Sequence, residues 1–122
     1  MIDHTLDTTH GILLVQIKDS LQEGDFAELG KTVDPYIEQT GDLAGIIIEA
    51  PSFPGWESIG AMAAHIRFVR DHHKHIRKVG LVTDSALGKV AEQLASHFVS
   101  AEIRHFPVAQ LDAAKQWVMH RP

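Results

Sequence analysis

The feature that most constrains the fold is a continuous, largely apolar run from Ala44 to Ala50, with three successive isoleucines at its centre. The run lies between Gly41 and Pro51, which are typical of the ends of regular structure. A strand that is apolar on both sides is usually covered on both sides, as in the middle of a parallel sheet. The run therefore predicts a layered protein with this strand at the sheet centre.

Two strands and a helix are predicted before this run. Residues 2–6 alternate between apolar and polar, and residues 12–17 are apolar on both faces, so we expect them to form an antiparallel hairpin. Asp25 and Glu28 have the spacing of a capping box, and apolar residues then recur at helical spacing. Pro35 lies inside that pattern, and we expect a kink or a helix end just before it.

The rest of the chain alternates between helical and strand patterns. Helices are predicted over residues 58–73, 86–98 and 109–119, and strands over 79–83 and 101–106. Short connections between alternating strands and helices require a mostly parallel sheet with helical crossovers. We therefore expect an α/β fold with five strands, the first of them antiparallel, and four helices. No linker divides the chain, so residues 1–122 are expected to form a single domain.

Composition narrows the function classes. The chain contains no cysteine, which excludes disulfide frameworks and thiolate chemistry and fits a reducing compartment. No signal peptide or membrane-spanning stretch is visible, so we expect a cytoplasmic protein. The motifs of nucleotide-binding loops, hydrolase elbows and zincins are absent. We therefore expect no enzyme activity, no cofactor and no metal.

Charge is distributed unevenly along the chain. The net charge is −5, but residues 1–64 sum to −9 and residues 65–122 to +4. The acidic total argues against nucleic acid as a partner. Five bases cluster near the second predicted helix: Arg67, Arg70, Lys74, Arg77 and Lys78. They are predicted either to bind an anionic partner or the inner face of the cell membrane, or only to stabilise the C-terminus of the helix. The sequence favours neither role.

Three histidines, His72, His73 and His75, fall in the same region. Imidazole is a common metal ligand. However, no pair among them has the i, i+4 spacing that would place two rings on one helical face, and Asp71 is the one acidic neighbour. We therefore interpret the cluster as a polar helix end.

A loop with two large aromatic residues, Phe53 and Trp56, follows the central strand. Ligands of open α/β sheets bind beyond the carboxyl ends of the strands. These aromatics are predicted either to close the top of the core or to gate an apolar pocket, and both roles can coexist. The pocket lining is expected to include apolar residues of the second and third helices: Ile59, Met62, Ile66, Leu87 and Val90.

Several segments, taken in order, resemble the SpoIIAA-like family of small bacterial proteins. They are Phe53–Trp56, Ile66–Phe68, Arg77–Asp84, Ala101–Phe106 and Ala113–Val118. The resemblance implies a STAS-type superhelix of strands and helices, similar in shape to CRAL-TRIO lipid-transfer domains. It also implies binding of an apolar small molecule or lipid, with peripheral membrane association and a homodimer as further expectations.

A second function within that resemblance is a STAS-type partner-switching regulator, controlled by a phosphorylated serine in an Asp-Ser-Ser/Thr-Gly motif. That motif is absent, because Ser52 and Ser58 lack its acidic and glycine neighbours and Ser85 follows a different strand. In the family an acidic residue often stands at the position of His65, and an aromatic near Ala86, so the pocket lining differs here. The prediction is a non-catalytic module that binds a lipid-like ligand, with protein interaction as the alternative.

Overall fold

A computed structural model describes residues 2–52, 55–84, 92–93 and 99–120. Within these residues the chain forms five strands and three α-helices. The strands are β1 (Ile2–Asp7), β2 (Ile12–Ile17), β3 (Leu43–Glu49), β4 (Ile76–Val82) and β5 (Glu102–Phe106). The helices are α1 (Glu23–Thr40), α2 (Ile59–His72) and α3 (Leu111–Met119), and short 3-10 turns occupy His73–His75 and Val108–Gln110.

The strands form one mixed sheet in the order β1-β2-β3-β4-β5. β1 pairs with β2 antiparallel, and the other neighbours are parallel. The predicted hairpin and the central position of β3 are therefore confirmed. Four helices were expected, but three are described, because the helix predicted over 86–98 falls on a segment of which only Glu92 and Gln93 are described, and both are helical.

Apolar residues form a core on each face of the sheet. On one face, α1 and α2 cover Leu13, Val15 and Ile46, and on the other face α3 covers Ile12 and Ile47. Neighbouring residues of β2 and β3 thus belong to opposite cores, as the alternation of side chains along a strand requires. This two-sided burial explains why both strands are apolar on both faces.

The predicted capping residues of α1 and the predicted helix end before Pro35 are wrong. The helix begins at Glu23, and the carboxylate of Asp25 accepts a hydrogen bond from the backbone N–H of Gln22 at 2.8 Å, so the capping residues lie one turn earlier than predicted. The helix also continues through Pro35 to Thr40. Proline removes one backbone donor, but Val33 is fully buried and Tyr36 packs against the core, which holds both sides of the proline in the helix.

β4 begins three residues earlier than the predicted start at residue 79. Ile76 is buried and pairs with Leu43 at the start of β3. The basic pair Arg77 and Lys78 hid this extension, because charged residues lower the strand signal. The helices and strands α2, β5 and α3 lie within two residues of their predicted bounds.

Candidate functional site

Helix α2 is anchored at its first turn and packs on α1 through its smallest side chains. Ser58 is the N-cap, and its hydroxyl accepts a hydrogen bond from the backbone N–H of Ala61 at 3.0 Å. Ala61 and Ala64 are the two buried residues of the helix. Methyl side chains allow two helices to approach closely, and Phe68 packs on Phe26 of α1, so α2 is held against α1 without using its four other large apolar residues.

Those larger residues point away from the core. Ile59 is 81% exposed and Ile66 is 60% exposed, while Met62 and Val69 are each 36% exposed. They recur at helical spacing and form one continuous stripe, which we call the α2 apolar surface: Ile59, Met62, Ile66 and Val69. Single exposed apolar residues are normal on proteins, but a continuous row on one helix indicates an interaction site.

Three of the predicted pocket residues, Ile59, Met62 and Ile66, are thus brought together on this surface. They lie on an exposed face of the helix, and none of them lines the groove between α1 and α2. Of the other four predicted residues of the pocket or gate, Trp56 is described, and Phe53, Leu87 and Val90 lie outside the described residues.

Trp56 lies at the edge of the α2 apolar surface. Its segment is fixed by backbone hydrogen bonds on both sides, from Leu21 N–H to the Gly55 carbonyl at 2.9 Å and from Glu57 N–H to the Leu21 carbonyl at 2.8 Å. Gly55 has a φ of 84°, which a residue with a side chain rarely adopts. Trp56 is 39% exposed, so its side chain is only partly buried while its backbone is held in place.

His65, which the sequence marks only as a departure from the family's pocket lining, connects Trp56 to the core. The indole N–H of Trp56 donates a hydrogen bond to Nδ1 of His65 at 3.2 Å. The imidazole is stacked on the ring of Phe26, with centroids 4.9 Å apart and an angle of 13° between the planes. Burial lowers the pKa of His65 below its ordinary value of 6.5. The i, i+9 separation of Trp56 and His65 carries no sequence signal for this contact.

The five predicted anion-binding bases are dispersed. Lys78 donates hydrogen bonds to the carbonyl oxygens of Trp117 at 2.8 Å and His120 at 2.7 Å, at the end of α3. Arg77 lies 3.9 Å from the carboxylate of Asp42. Both residues therefore face acceptors of the chain itself.

The remaining three bases lie on α2 or just after it. Arg67 lines a groove of about 750 Å³ between α1 and α2, which also contains the carboxylates of Asp34 and Asp71. Arg70 forms an exposed ion pair with Asp71 at 3.0 Å, and Lys74 is exposed in the following 3-10 turn. The groove is bordered by charges of both signs and differs from the apolar pocket that the sequence predicts.

The three clustered histidines have separate partners. His72 lies 2.7 Å from Asp34, His73 accepts a hydrogen bond from the backbone N–H of Ser100 at 2.9 Å, and His75 lies 3.7 Å from Asp42. Within the described ranges no three potential ligand side chains gather to hold a metal ion. In the same part of the chain, no helix is both long and apolar enough to cross a membrane.

Comparison with known proteins identifies the fold. The model of a family described as SpoIIAA-like matches residues 12–119. A crystal structure of an uncharacterized protein with a SpoIIAA-like fold from Shewanella loihica PV-4 superposes with a TM-score of 0.77 at 17% sequence identity, covering 96% of this chain and 93% of that chain. No curated protein matches the sequence significantly. This STAS-type fold supports no more than a general function, that of a non-catalytic protein-interaction module.

Proposed function

Because the chain belongs to the SpoIIAA-like family, we propose that it is a non-catalytic binding module that holds a lipid-like, anionic amphiphile on the α2 apolar surface. The observation that carries the proposal is the exposure of Ile59 and Ile66 on a helix whose two buried residues are both alanines. Each isoleucine side chain gains about 1.5–3 kcal/mol when it is removed from water. A ligand that covers this row would recover that free energy.

The charge at one end of the row indicates the polarity of the ligand. Arg70 is four residues after Ile66 and therefore lies on the same side of α2. Its ion pair with Asp71 is exposed, and exposed pairs contribute only about 0–1 kcal/mol. An incoming carboxylate or phosphate can therefore compete for the guanidinium, whose planar set of donors suits both groups.

The dimensions are those of an acyl chain with a head group. From Ile59 to Arg70 the helix rises roughly 16 Å at about 1.5 Å per residue. An apolar tail along Ile59 and Ile66 with its anionic group at Arg70 would cover the two most exposed residues of the α2 apolar surface. Anionic membrane lipids share this chemistry, so peripheral membrane association is a second form of the same proposal.

The test removes exposed apolar side chains from α2 and compares the effect with the loss of an exposed apolar side chain on the other face of the sheet. We expect the double variant Ile59→Ser/Ile66→Ser to bind a fluorescent fatty-acid probe at least roughly tenfold more weakly than the unaltered protein. Met119→Ser is the matched control, because Met119 is 44% exposed on α3, on the other side of the sheet. Equal affinities in the two variants would contradict the proposal.

Vesicle sedimentation then separates a single bound ligand from a membrane. Attachment to phosphatidylserine vesicles that weakens with salt, compared with phosphatidylcholine vesicles, supports the membrane form, because exposed charges are screened over about 8–10 Å. Probe binding without vesicle binding supports a single bound amphiphile.

The second candidate is a STAS-type protein-interaction or partner-switching regulator. The general protein-interaction function that the fold supports favours this candidate. An exposed apolar helix face also fits a groove of a protein partner. Native mass spectrometry of the protein isolated from its own cells discriminates the two candidates: a co-purified lipid supports the first, and a stoichiometric protein partner supports the second.

A further inference from the structure

Five rings form a row along the contact between the loop, α1 and α2. Trp56 and His65 have centroids 6.0 Å apart, His65 and Phe26 4.9 Å, Phe26 and Phe68 6.1 Å, and Phe68 and His72 4.1 Å. Four of these rings belong to helices. Trp56 comes from the loop, and its contacts with His65 and its backbone clamp contribute to its position on the row.

The hydrogen bond between Trp56 and His65 defines the protonation state of the imidazole. An indole nitrogen can donate a hydrogen bond but cannot accept one. Nδ1 of His65 must therefore carry a lone pair, which leaves the proton on Nε2 and makes the ring neutral. A second proton would have to bind at Nδ1 and would convert the acceptor into a donor facing the indole N–H.

We propose that His65 is a proton-operated latch that holds Trp56 beside the α2 apolar surface and releases it on acidification. The inference rests on the proposed function, since it assigns a regulation to the same surface. When Nδ1 is protonated, two donors face each other at hydrogen-bond distance, and the indole has to turn away. The backbone clamp at Leu21 retains the residue in place, so the side chain moves while the loop stays.

The position of His65 on α2 connects the latch to ligand binding. Met62 lies one turn before His65 and Val69 one turn after it, so the latched indole borders the side of the apolar surface that these two residues form. Both are 36% exposed, against 81% for Ile59 on the far side. A released indole uncovers this border and can itself pack against a bound apolar chain, because a tryptophan side chain can bury 150–250 Å² or so.

The environment of His65 opposes protonation until the pH is low. Burial against Phe26 lowers its pKa below 6.5. The folded state therefore favours the neutral ring. The stabilisation that this ring provides is complete above pH 6.5 or so, and is lost as the pH falls through the lowered pKa. The latch accordingly opens below the range in which an exposed histidine titrates.

Charged groups lie on each of the packed elements, and those of the groove between α1 and α2 include Asp34, Arg67 and Asp71. Glu57 follows Trp56 in the loop, and Glu23 of α1 approaches the first turn of α2 near Gly60. Asp25 precedes Phe26 on α1 and caps the start of that helix.

At the other end of the row, both ring nitrogens of His72 face acceptors, the Phe68 carbonyl and the Asp34 carboxylate, each at 2.7 Å. His72 lies seven residues, roughly 10 Å along the helix, from His65, and serves as an internal control.

The first measurement follows the latch directly. The indole Nε1–H signal of Trp56 in a nitrogen–proton NMR spectrum, assigned by its loss in Trp56→Phe, is expected to shift with a midpoint below about pH 6.5, together with the ring signals of His65. Trp117 packs on the opposite face of the sheet and is the reference signal. A Trp56 signal that stays constant while His65 titrates would overturn the latch.

The second measurement follows binding of the fatty-acid probe at about pH 7.5 and about pH 5. The unaltered protein is expected to bind roughly threefold more tightly at the lower pH. His65→Gln keeps an acceptor that does not titrate and should remain at the weaker level. His65→Phe keeps the stack on Phe26 but loses the acceptor, and should bind at the tighter level at both pH values. His72→Gln should keep the pH dependence.

These outcomes separate the latch from the proposed function. If the probe fails to bind at any pH while the Trp56 signal still titrates with His65, the proposed function is overturned and the latch stands as a conformational switch. If the His65→Gln protein retains the full pH dependence of binding, the ligand surface stands and the latch is overturned.

Discussion

Helices α2 and α3 use apolar residues in opposite ways. In α3, Ala114 and Val118 are 0% and 2% exposed and press into the sheet, whereas in α2 the isoleucines are exposed and two alanines are buried. Both helices show the same periodic pattern in the sequence. The difference teaches that a helical pattern identifies an amphipathic helix without saying which of its apolar residues meet the core.

The close packing of α3 on the sheet depends on glycine. A Cβ added at Gly45 of β3 would collide with the side chain of Val118 and would lie 2.8 Å from the carbonyl oxygen of Lys78. A Cβ added at Gly80, in the neighbouring strand β4, would instead lie at an ordinary contact distance of 3.6 Å from Ala114. On this face of the sheet the helix therefore has no room to shift, in contrast to the open face of α2.

The largest expected effect tests this packing. Gly45→Ala should lower the free energy of unfolding by about 3 kcal/mol, because the backbone of β4 cannot give way to the added carbon. Urea denaturation measures the change. Gly24→Ala is the control, since nothing lies within 4 Å of a Cβ there and alanine stabilises a helix by about 0.5–1 kcal/mol relative to glycine. A neutral result for Gly45→Ala would disprove the close contact between α3 and β3.

The next effect compares the two helices directly. Val118→Ala should cost about 2 kcal/mol through lost burial and a cavity. Ile66→Ala removes a larger side chain from α2 but should change stability by less than about 0.5 kcal/mol, because Ile66 is exposed. Thermal and urea unfolding of both variants provide the measurement. Similar losses in the two would mean that the α2 apolar surface is part of the folding core.

A smaller effect concerns the role of Lys78. Lys78→Met should lower stability by about 1.5 kcal/mol, because two carbonyl oxygens at the end of α3 lose their charged donor and the cation over the Trp117 ring is removed. Lys74→Met, at an exposed position, should have little effect on stability. If Lys74→Met lowered stability more than Lys78→Met, Lys78 would again belong to the bases available to an anionic partner.

Much of the fold follows from local pattern. The hairpin and the central β3 strand could be predicted because a strand covered on both faces leaves an unbroken apolar run, and a half-covered strand leaves an alternation. The start of α1 and the continuation of the helix through Pro35 could not be predicted. At Pro35, tertiary packing of Val33 and Tyr36 outweighs the local cost of proline. The start of β4 was not predicted because charged residues at the end of a strand resemble a loop.

For the candidate site, the sequence determined which residues are apolar, which are basic and which can share a helix face, because these properties belong to each residue and its near neighbours. The tertiary structure decided the rest. It buried the alanines of α2 in place of the isoleucines, turned Lys78 toward the end of α3, and placed His65 between Trp56 and Phe26. The physical reason is that orientation, burial and hydrogen-bond partners depend on elements that are distant in the chain, and no periodicity along the sequence records them.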